Sequence, residues 1–351
     1  MKKIFAILLC LCTLLALVAC GGNNDPVEAD YKLGMGVVVD MSSSAAGNAQ
    51  VDATVATVVT DADGKIVLCR IDVAQNKMNV ADGAVNVDAT FKTKMEKGTE
   101  YGMAGKVDND DNGVMLEWDA QAKAFETFVV GKTAAEVQAM PTQEKKGHTI
   151  SADAALLEAG CSMQITDFIA AVVKACNDDQ AMSFKAVAGT FTLGVAAKTT
   201  AEESVAATAE VNGTVKMYTD FAAAVVADGK IVAALNDAIQ PNIVIDAAGE
   251  IVSTSVGKEG KATKREQKEL YGMAGKVDAN NDGVKLEWYV QSEAFSKHVV
   301  GKTAAEVAAM ATAANMLGYQ MTTDTALLEA GCTIQITAIK AVVAQSATNA
   351  R

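Results

Sequence analysis

The chain has 351 residues, half of them apolar and 5% aromatic, with 30 Lys plus Arg against 43 Asp plus Glu and a net charge of −13. At roughly 100–200 residues per domain this length excludes a single small module, and the acidic balance without a clustered basic face argues against a nucleic-acid partner. Only two histidines occur, His148 and His298, neither in a recognisable motif, which leaves little room for a Ser-His-Asp machine or a His-rich metal centre.

Lys2 and Lys3 precede an apolar run from Ile4 to Ala19 that is too short to cross a bilayer core of about 30 Å. Residues 1–19 therefore read as a secretory signal peptide. The run ends in Leu17-Val18-Ala19-Cys20-Gly21-Gly22, which resembles the bacterial lipobox. That resemblance implies a diacylated Cys20, palmitate-type chains and a lipid-anchored protein on the extracytoplasmic face of the cytoplasmic membrane. Each buried methylene contributes about 0.8 kcal/mol to such anchoring. Residues 20–30 then form a tether. Cys10 and Cys12 leave with the signal, while Cys69, Cys161, Cys176 and Cys332 are far apart among apolar neighbours and are expected as buried thiols.

Tyr101-Gly102-Met103-Ala104-Gly105-Lys106-Val107-Asp108 recurs as Tyr271 to Asp278, and residues 101–140 match 271–310 at 27 of 40 positions. Leu156 to Cys161 is echoed by Leu327 to Cys332, and Ala62 to Lys65 by Ala227 to Lys230. An internal repeat of this length is domain-sized. The expected organisation is a first domain at 31–176, a linker at 177–184, a second domain at 185–346 and a tail at 347–351.

Within a copy, Val51 to Val59 and Ile66 to Val73 alternate around the turn residues Asp61 to Lys65, which predicts a β-hairpin. Further turns at Ala81-Asp82-Gly83 and Ala247-Ala248-Gly249 each point to another short strand. Leu116, Ala120, Ala124 and Phe125, with Leu286, Val290, Ala294 and Phe295, recur at helical spacing up to Gly131 and Gly301. Thr133 to Glu136 and Thr303 to Glu306 match the capping box that starts a second helix. A small strand through Cys161–Thr166 and an apolar last helix carrying Phe168, Ile169, Val172 and Val173 complete the copy. The predicted class is α+β: two tandem homologous domains, each an antiparallel meander of about four to five strands followed by packed helices.

Candidate chemistry is sparse. Asp108, Asp110 and Asn112 before Gly113 fit the first half of an acidic calcium loop, with Asp119 at its twelfth position; the second copy offers Asp278, Asn280 and Asp282, with Tyr289 where the bidentate Glu belongs. The same residues would equally build an exposed turn before a helix. Trp118, Gln121 and Phe125, with Trp288, Gln291 and Phe295, share a helical face that reads either as core or as a ring-stacking platform. Asp72 with Gln75, and Asp237 with Gln240, stand at strand ends as cleft-lining or capping groups. Glu96 and Glu100 are the paired carboxylates nearest to an acid–base arrangement, and nothing distinguishes them from a solvated face, so no enzyme is expected.

Asp63 to Ile66 and Asp228 to Ile231, Glu117-Trp118 with Gln121 and Phe125, and Val129 to Thr133 together resemble a group of lipoproteins of clostridia-like gut bacteria (Firmicutes) with a duplicated domain. The same strand order is distantly similar to the FMN-binding domain of membrane-associated electron-transfer proteins. The Ser-Gly-Ala-Thr signature of that family is replaced by Gly160 to Thr166 and Gly331 to Thr337, with Gln164 and Gln335 nearest the flavin-acceptor position. The resemblance thus implies non-covalent rather than covalent flavin. The functional expectation is a lipid-anchored extracytoplasmic protein with two ligand-binding domains, for flavin or another small molecule; the alternative is a structural or protein-interaction lipoprotein of the cell envelope.

Overall fold

The computed structural model describes residues 27–275, 283, 285–315 and 318–351. Residues 1–19, expected as a signal peptide, Cys20, and Asp278, Asn280 and Asp282 of the second expected acidic loop lie outside the described residues.

Three long antiparallel strands open the first half: β1 (Glu28–Asp40), β2 (Asn48–Thr60) and β3 (Ile66–Asn79). At the β2–β3 turn Asp61 accepts from the amides of Asp63 and Lys65, and Gly64 sits at φ +74°, a conformation glycine adopts without a Cβ penalty. Helices α1 (Lys94–Lys97), α2 (Trp118–Phe128) and α3 (Ala134–Gln138) follow, then a hairpin of β4 (Thr142–Lys145) and β5 (His148–Ser151), then α4 (Ala154–Glu158) and α5 (Thr166–Cys176). Strand β6 (Met182–Val187) returns to pair with β1, so the stretch expected as a linker runs into the first sheet.

The second half continues with β7 (Phe191–Thr200), β8 (Gly213–Val215), β9 (Tyr218–Ala227), β10 (Lys230–Ile239), β11 (Asn242–Ile245) and β12 (Ile251–Ser255). It ends with α6 (Lys264–Gln267), α7 (Trp288–His298), α8 (Ala304–Ala308), the β13 (Thr312–Ala314) and β14 (Gln320–Thr322) hairpin, α9 (Thr325–Glu329) and α10 (Thr337–Thr348). The main sheets run β3-β2-β1-β6 and β10-β9-β7, with a small β12-β11-β8 sheet beside them. The class is α+β with antiparallel sheets.

The two main sheets bury their inner faces against each other. Leu33, Val51, Val55 and Val59 from the first share one core with Leu193, Phe221, Val225 and Leu235 from the second. The outer faces lie under helices: Ala56, Val58 and Ile71 pack against Trp118, Phe125 and Phe168, and Ala222 and Ala234 against Phe295, Ile339 and Val343. The layers are therefore helix, sheet, sheet, helix. Burial on both faces explains why β2 and β9 read as nearly continuous Ala, Val and Thr. Helices approach the sheets closely. A Cβ on Gly34 would lie 2.0 Å from the Ala175 carbonyl oxygen, and one on Gly194 would lie 1.9 Å from that of Ser346.

Polar contacts lock the halves together. Asn76 donates to Thr199 and Thr219 across the inner core at 3.0 and 3.3 Å. Arg265 in α6 grips Asp178, which follows α5, at 3.1 and 3.3 Å, and both side chains are buried. Asp178 also accepts from the Met35 amide, and Arg265 donates to the Gln180 carbonyl. Around this pair Lys174 meets Glu266 and Lys268 meets Asp179 near the surface. Elsewhere, Arg351 holds the buried Glu126 at 2.9 Å beside Arg70.

Three expectations need correction. Cys161–Ile165 is an irregular crossing rather than a strand, because it is fixed by Gln121 and by the Ile165 amide donating to Thr149, with no ladder partner. No strand follows Ala81–Gly83, which forms a single 3-10 turn, whereas β12 does follow Gly249. The buried stripe of α2 is Trp118, Gln121, Ala122 and Phe125, with Leu116 ahead of the helix and Ala120 exposed. The capping boxes at Thr133 and Thr303 form as expected, and the four cysteines are free, three of them buried and Cys176 half-buried.

Removing one member of a buried pair leaves the other charge desolvated, at a cost of about 3–5 kcal/mol, whereas exposed pairs contribute about 0–1 kcal/mol. Arg265→Ala should lower the free energy of unfolding by that larger amount in a urea titration, and Lys268→Ala by less than about 1 kcal/mol. Equal losses would mean that the Asp178–Arg265 contact does not join the halves.

Candidate functional site

Each half carries a cleft at the same place, between the outer face of its main sheet and its helices. Its construction starts from a carboxylate on the edge strand. Asp72 accepts from the amides of Val73 and Met95, and Asp237 accepts from those of Ala238 and Arg265. Burial pushes both carboxyls up to about 6, against the pull of these hydrogen bonds. They fix α1 and α6, each of which begins with a complete capping box, Thr93 with Glu96 and Thr263 with Glu266. Glu96 is thereby a cap, and Glu100 pairs with Lys92 on the surface, so the two do not form an acid–base couple.

The first residue of each short helix is a lysine over two aromatic rings. Lys94 Nζ lies 5.0 Å from the Tyr101 ring centre and 5.6 Å from that of Trp118; Lys264 Nζ lies 5.1 Å from Tyr271 and 5.2 Å from Trp288. Both distances are within cation–π range. The Glu-Trp-x-x-Gln pattern holds the walls. Glu117 accepts from Met103 and Ala104, and Glu287 from Met273 and Ala274. Gln121 donates to the Leu116 carbonyl and accepts from Ser162 and Met163, while Gln291 bonds Leu286 and Thr333. The shared helical face therefore divides its work. Phe125 and Phe295 are core, the glutamines clamp loops, and the tryptophans are largely buried yet line the clefts.

The first cleft encloses about 720 Å³ and the second about 620 Å³. Gln75 and Gln164 line the first, Gln240 and Gln335 the second, so the strand-end amides and the glutamines nearest the flavin-acceptor position all face a cleft. The remaining lining differs. The first has Asp40, Asp52, Asp167 and His148; the second has Tyr218, Asp220, Tyr319 and Ala338. Burial, then the neighbouring Asp40 and Asp52, raises the Asp167 carboxyl, with Lys94 opposing. One Asp52 oxygen is buried without a partner. In the second cleft desolvation raises Asp220 to about 6, with Lys264 and Lys198 pulling it back.

In the acidic loop of the first half most side-chain oxygens are met from within the loop or by Lys146, and Asp110 Oδ1 is buried without a partner. Asp108 accepts from the Asn112 and Gly113 amides, Asn112 donates to Asp110, and Lys146 pairs with Asp111 at 2.6 Å. One oxygen of Asp119 accepts from the Ala120 amide of its own helix. Among the described residues no group of three or more His, Cys, Asp or Glu is arranged to hold a metal ion. His298 meets Asp324 at 3.1 Å, at the N-cap of α9. Burial pushes the Cys161 and Cys332 thiols up to about 12, which leaves them unreactive.

Sequence reasoning missed Lys94, Lys264, Asp220 and the tyrosines of the second cleft. Tyr101 and Tyr271 did open the repeated eight-residue match, so repetition pointed to the wall without revealing what it faced. Compared with known protein families, with curated proteins and with solved structures, the chain matches none of them.

The raised Asp220 carboxyl has a thermodynamic consequence. The folded state holds the proton more tightly than the unfolded chain, so ionisation between about pH 4 and 6 lowers stability as the pH rises. Asp220→Asn removes that cost. Its melting temperature should exceed the parent's by a margin that widens from pH 4 to pH 7; a flat or negative margin would contradict the assignment.

Proposed function

We propose that the chain is a lipid-anchored extracytoplasmic binding protein, built from a duplicated α+β domain, that holds a small molecule in the cleft of each half. The observation that carries this reading is the recurrence of one cleft design. The edge carboxylate, capped short helix, lysine over Tyr and Trp, and Glu and Gln loop clamps all occur twice around concave space. Both volumes lie in the range of small-molecule sites. A purely structural domain would need the clamps but would have no use for two open clefts walled by tryptophan.

The address rests on Lys2 to Cys20, whose pattern is that of an exported, diacylated chain. Binding is the reading taken for the clefts, in the first of which His148 shares the lining with Asp40, Asp52 and Asp167. Non-covalent flavin is the less favoured occupant. Its phosphate would meet Lys264 alone among Glu202, Glu203 and Asp220 in the second cleft. The 108–113 loop is read as a self-capped turn, with Asp108, Asp110 Oδ2 and Asp111 engaged by Asn112, Gly113 and Lys146, while Asp110 Oδ1 is buried without a partner.

Native mass spectrometry of the protein taken directly from its producing cells should show a small molecule bound to the chain. An unliganded mass, together with a stoichiometric co-purifying protein, would favour the envelope-interaction role instead.

A further inference from the structure

The two clefts share a frame but not a lining, and the second is the more specialised. Its floor and sides include Ala238, Met273, Ile334, Ala338 and Ile339. Four aromatic residues surround this apolar patch: Tyr218, Tyr271, Trp288 and Tyr319. Where the first cleft has Asp167 and His148, the second has Ala338 and Tyr319, so polar groups have given way to a methyl and a ring.

The charges that remain are unequal. Glu202, Glu203 and Asp220 face Lys264. Glu203 is partly engaged by Lys216 at 3.7 Å. Asp220 has neither a hydrogen bond nor an ion pair among the described residues, although it is half-buried. Lys264 does not serve it as a close partner, because its ammonium is drawn over the rings of Tyr271 and Trp288. A desolvated carboxylate without a donor is costly to keep unless something supplies the donor. Tyr218 and Tyr319 line the same cleft; Lys216 Nζ lies 5.9 Å from the Tyr218 ring centre, which leaves that ring's other face, and Tyr319 stands 48% exposed.

We infer that the second cleft binds an organic cation with an apolar or aromatic body, its ammonium donating to Asp220 between Tyr218 and Tyr319 and its body resting on the Ala338–Ile339 floor. This assignment rests on the binding reading above and names the ligand class for one of its two sites. Among the lining residues an anion of the same size meets Glu202, Glu203 and Asp220 against Lys264 alone, and Lys198, opposite Asp220 on the neighbouring strand, lies outside the lining. A neutral molecule can at most donate a hydroxyl to Asp220 and leaves its charge uncompensated. A cation satisfies the carboxylate and gains the attraction of the ring faces.

Calorimetric titration of the purified full chain with benzylammonium, phenylacetate and benzyl alcohol tests it. The cation should bind more tightly than either of the others, and Asp220→Asn should weaken it at least about tenfold, the scale of losing a charge-assisted contact. Tyr319→Ala, at an exposed position that cannot unfold the core, should also weaken it, while Asp167→Asn in the first cleft should leave it unchanged. Wild-type affinity in Asp220→Asn, or loss of binding in Asp167→Asn alone, would overturn the assignment. Preference for phenylacetate would overturn it while leaving a small-molecule site standing. Failure of all three probes, with an empty native mass spectrum, would remove the binding reading itself.

Discussion

The fold depends on one contact, the burial of the inner face of the β3-β2-β1-β6 sheet against that of β10-β9-β7. Each half taken alone is a sheet with helices on one side, and its other face, with residues such as Val51, Val55, Phe221 and Val225, would be open to water. Burying a side chain of this kind contributes roughly 1.5–3 kcal/mol. The composition follows from that contact. Sheets covered on both faces call for small and β-branched residues, which is where the Ala and Val excess lies, and Gly34, Gly36 and Gly194 admit helix backbones that no Cβ would allow. Most of the acidic excess stays outside; the acids taken inside, among them Asp72, Glu126, Asp178 and Asp237, each accept hydrogen bonds, and Asp178 is met by Arg265 at the seam.

With the inner faces committed to each other, ligand chemistry is left to the outer layer. The clefts open there, between sheet and helices, and their walls are loops that carry little apolar anchoring of their own. Side chains supply the missing order. Asp72 and Asp237 tie down α1 and α6, and Glu117, Gln121, Glu287 and Gln291 tie down the loops on either side of the tryptophans. These are buried or half-buried polar groups with satisfied bonds, the condition under which such groups rigidify a site. One oxygen of Asp52 is buried without a partner, the half-buried Asp220 has no hydrogen bond among the described residues, and both face a cleft.

Local signals in the sequence translated well into structure. The Asp61–Lys65 turn, the capping boxes at Thr133 and Thr303 and the last helix with Phe168 and Val172 each depend on neighbours within a few residues, so spacing alone exposed them. Cys161–Ile165 looked like a strand because its residues alternate, yet its partners are Gln121 and Thr149, which only the tertiary fold supplies. The Gln of the repeated helix face looked like the edge of a platform and proved to be a clamp for the same reason. The acidic loop is a different case: calcium ligands and a self-capped turn draw on one vocabulary of Asp, Asn and Gly, so spacing does not separate them. The cleft was least legible. Lys94, Tyr101, Asp167 and His148 come from four separate elements or loops, and no linear spacing joins them.

The central claim is that the halves share one core and cannot be stable separately. Differential scanning calorimetry of the purified protein tests it most directly. The shared core predicts one endotherm whose calorimetric and van't Hoff enthalpies agree, a ratio of about one. Two resolved transitions, or a single broad one with a ratio of about two, would mean that each half folds on its own and that the sheet-on-sheet contact is incidental.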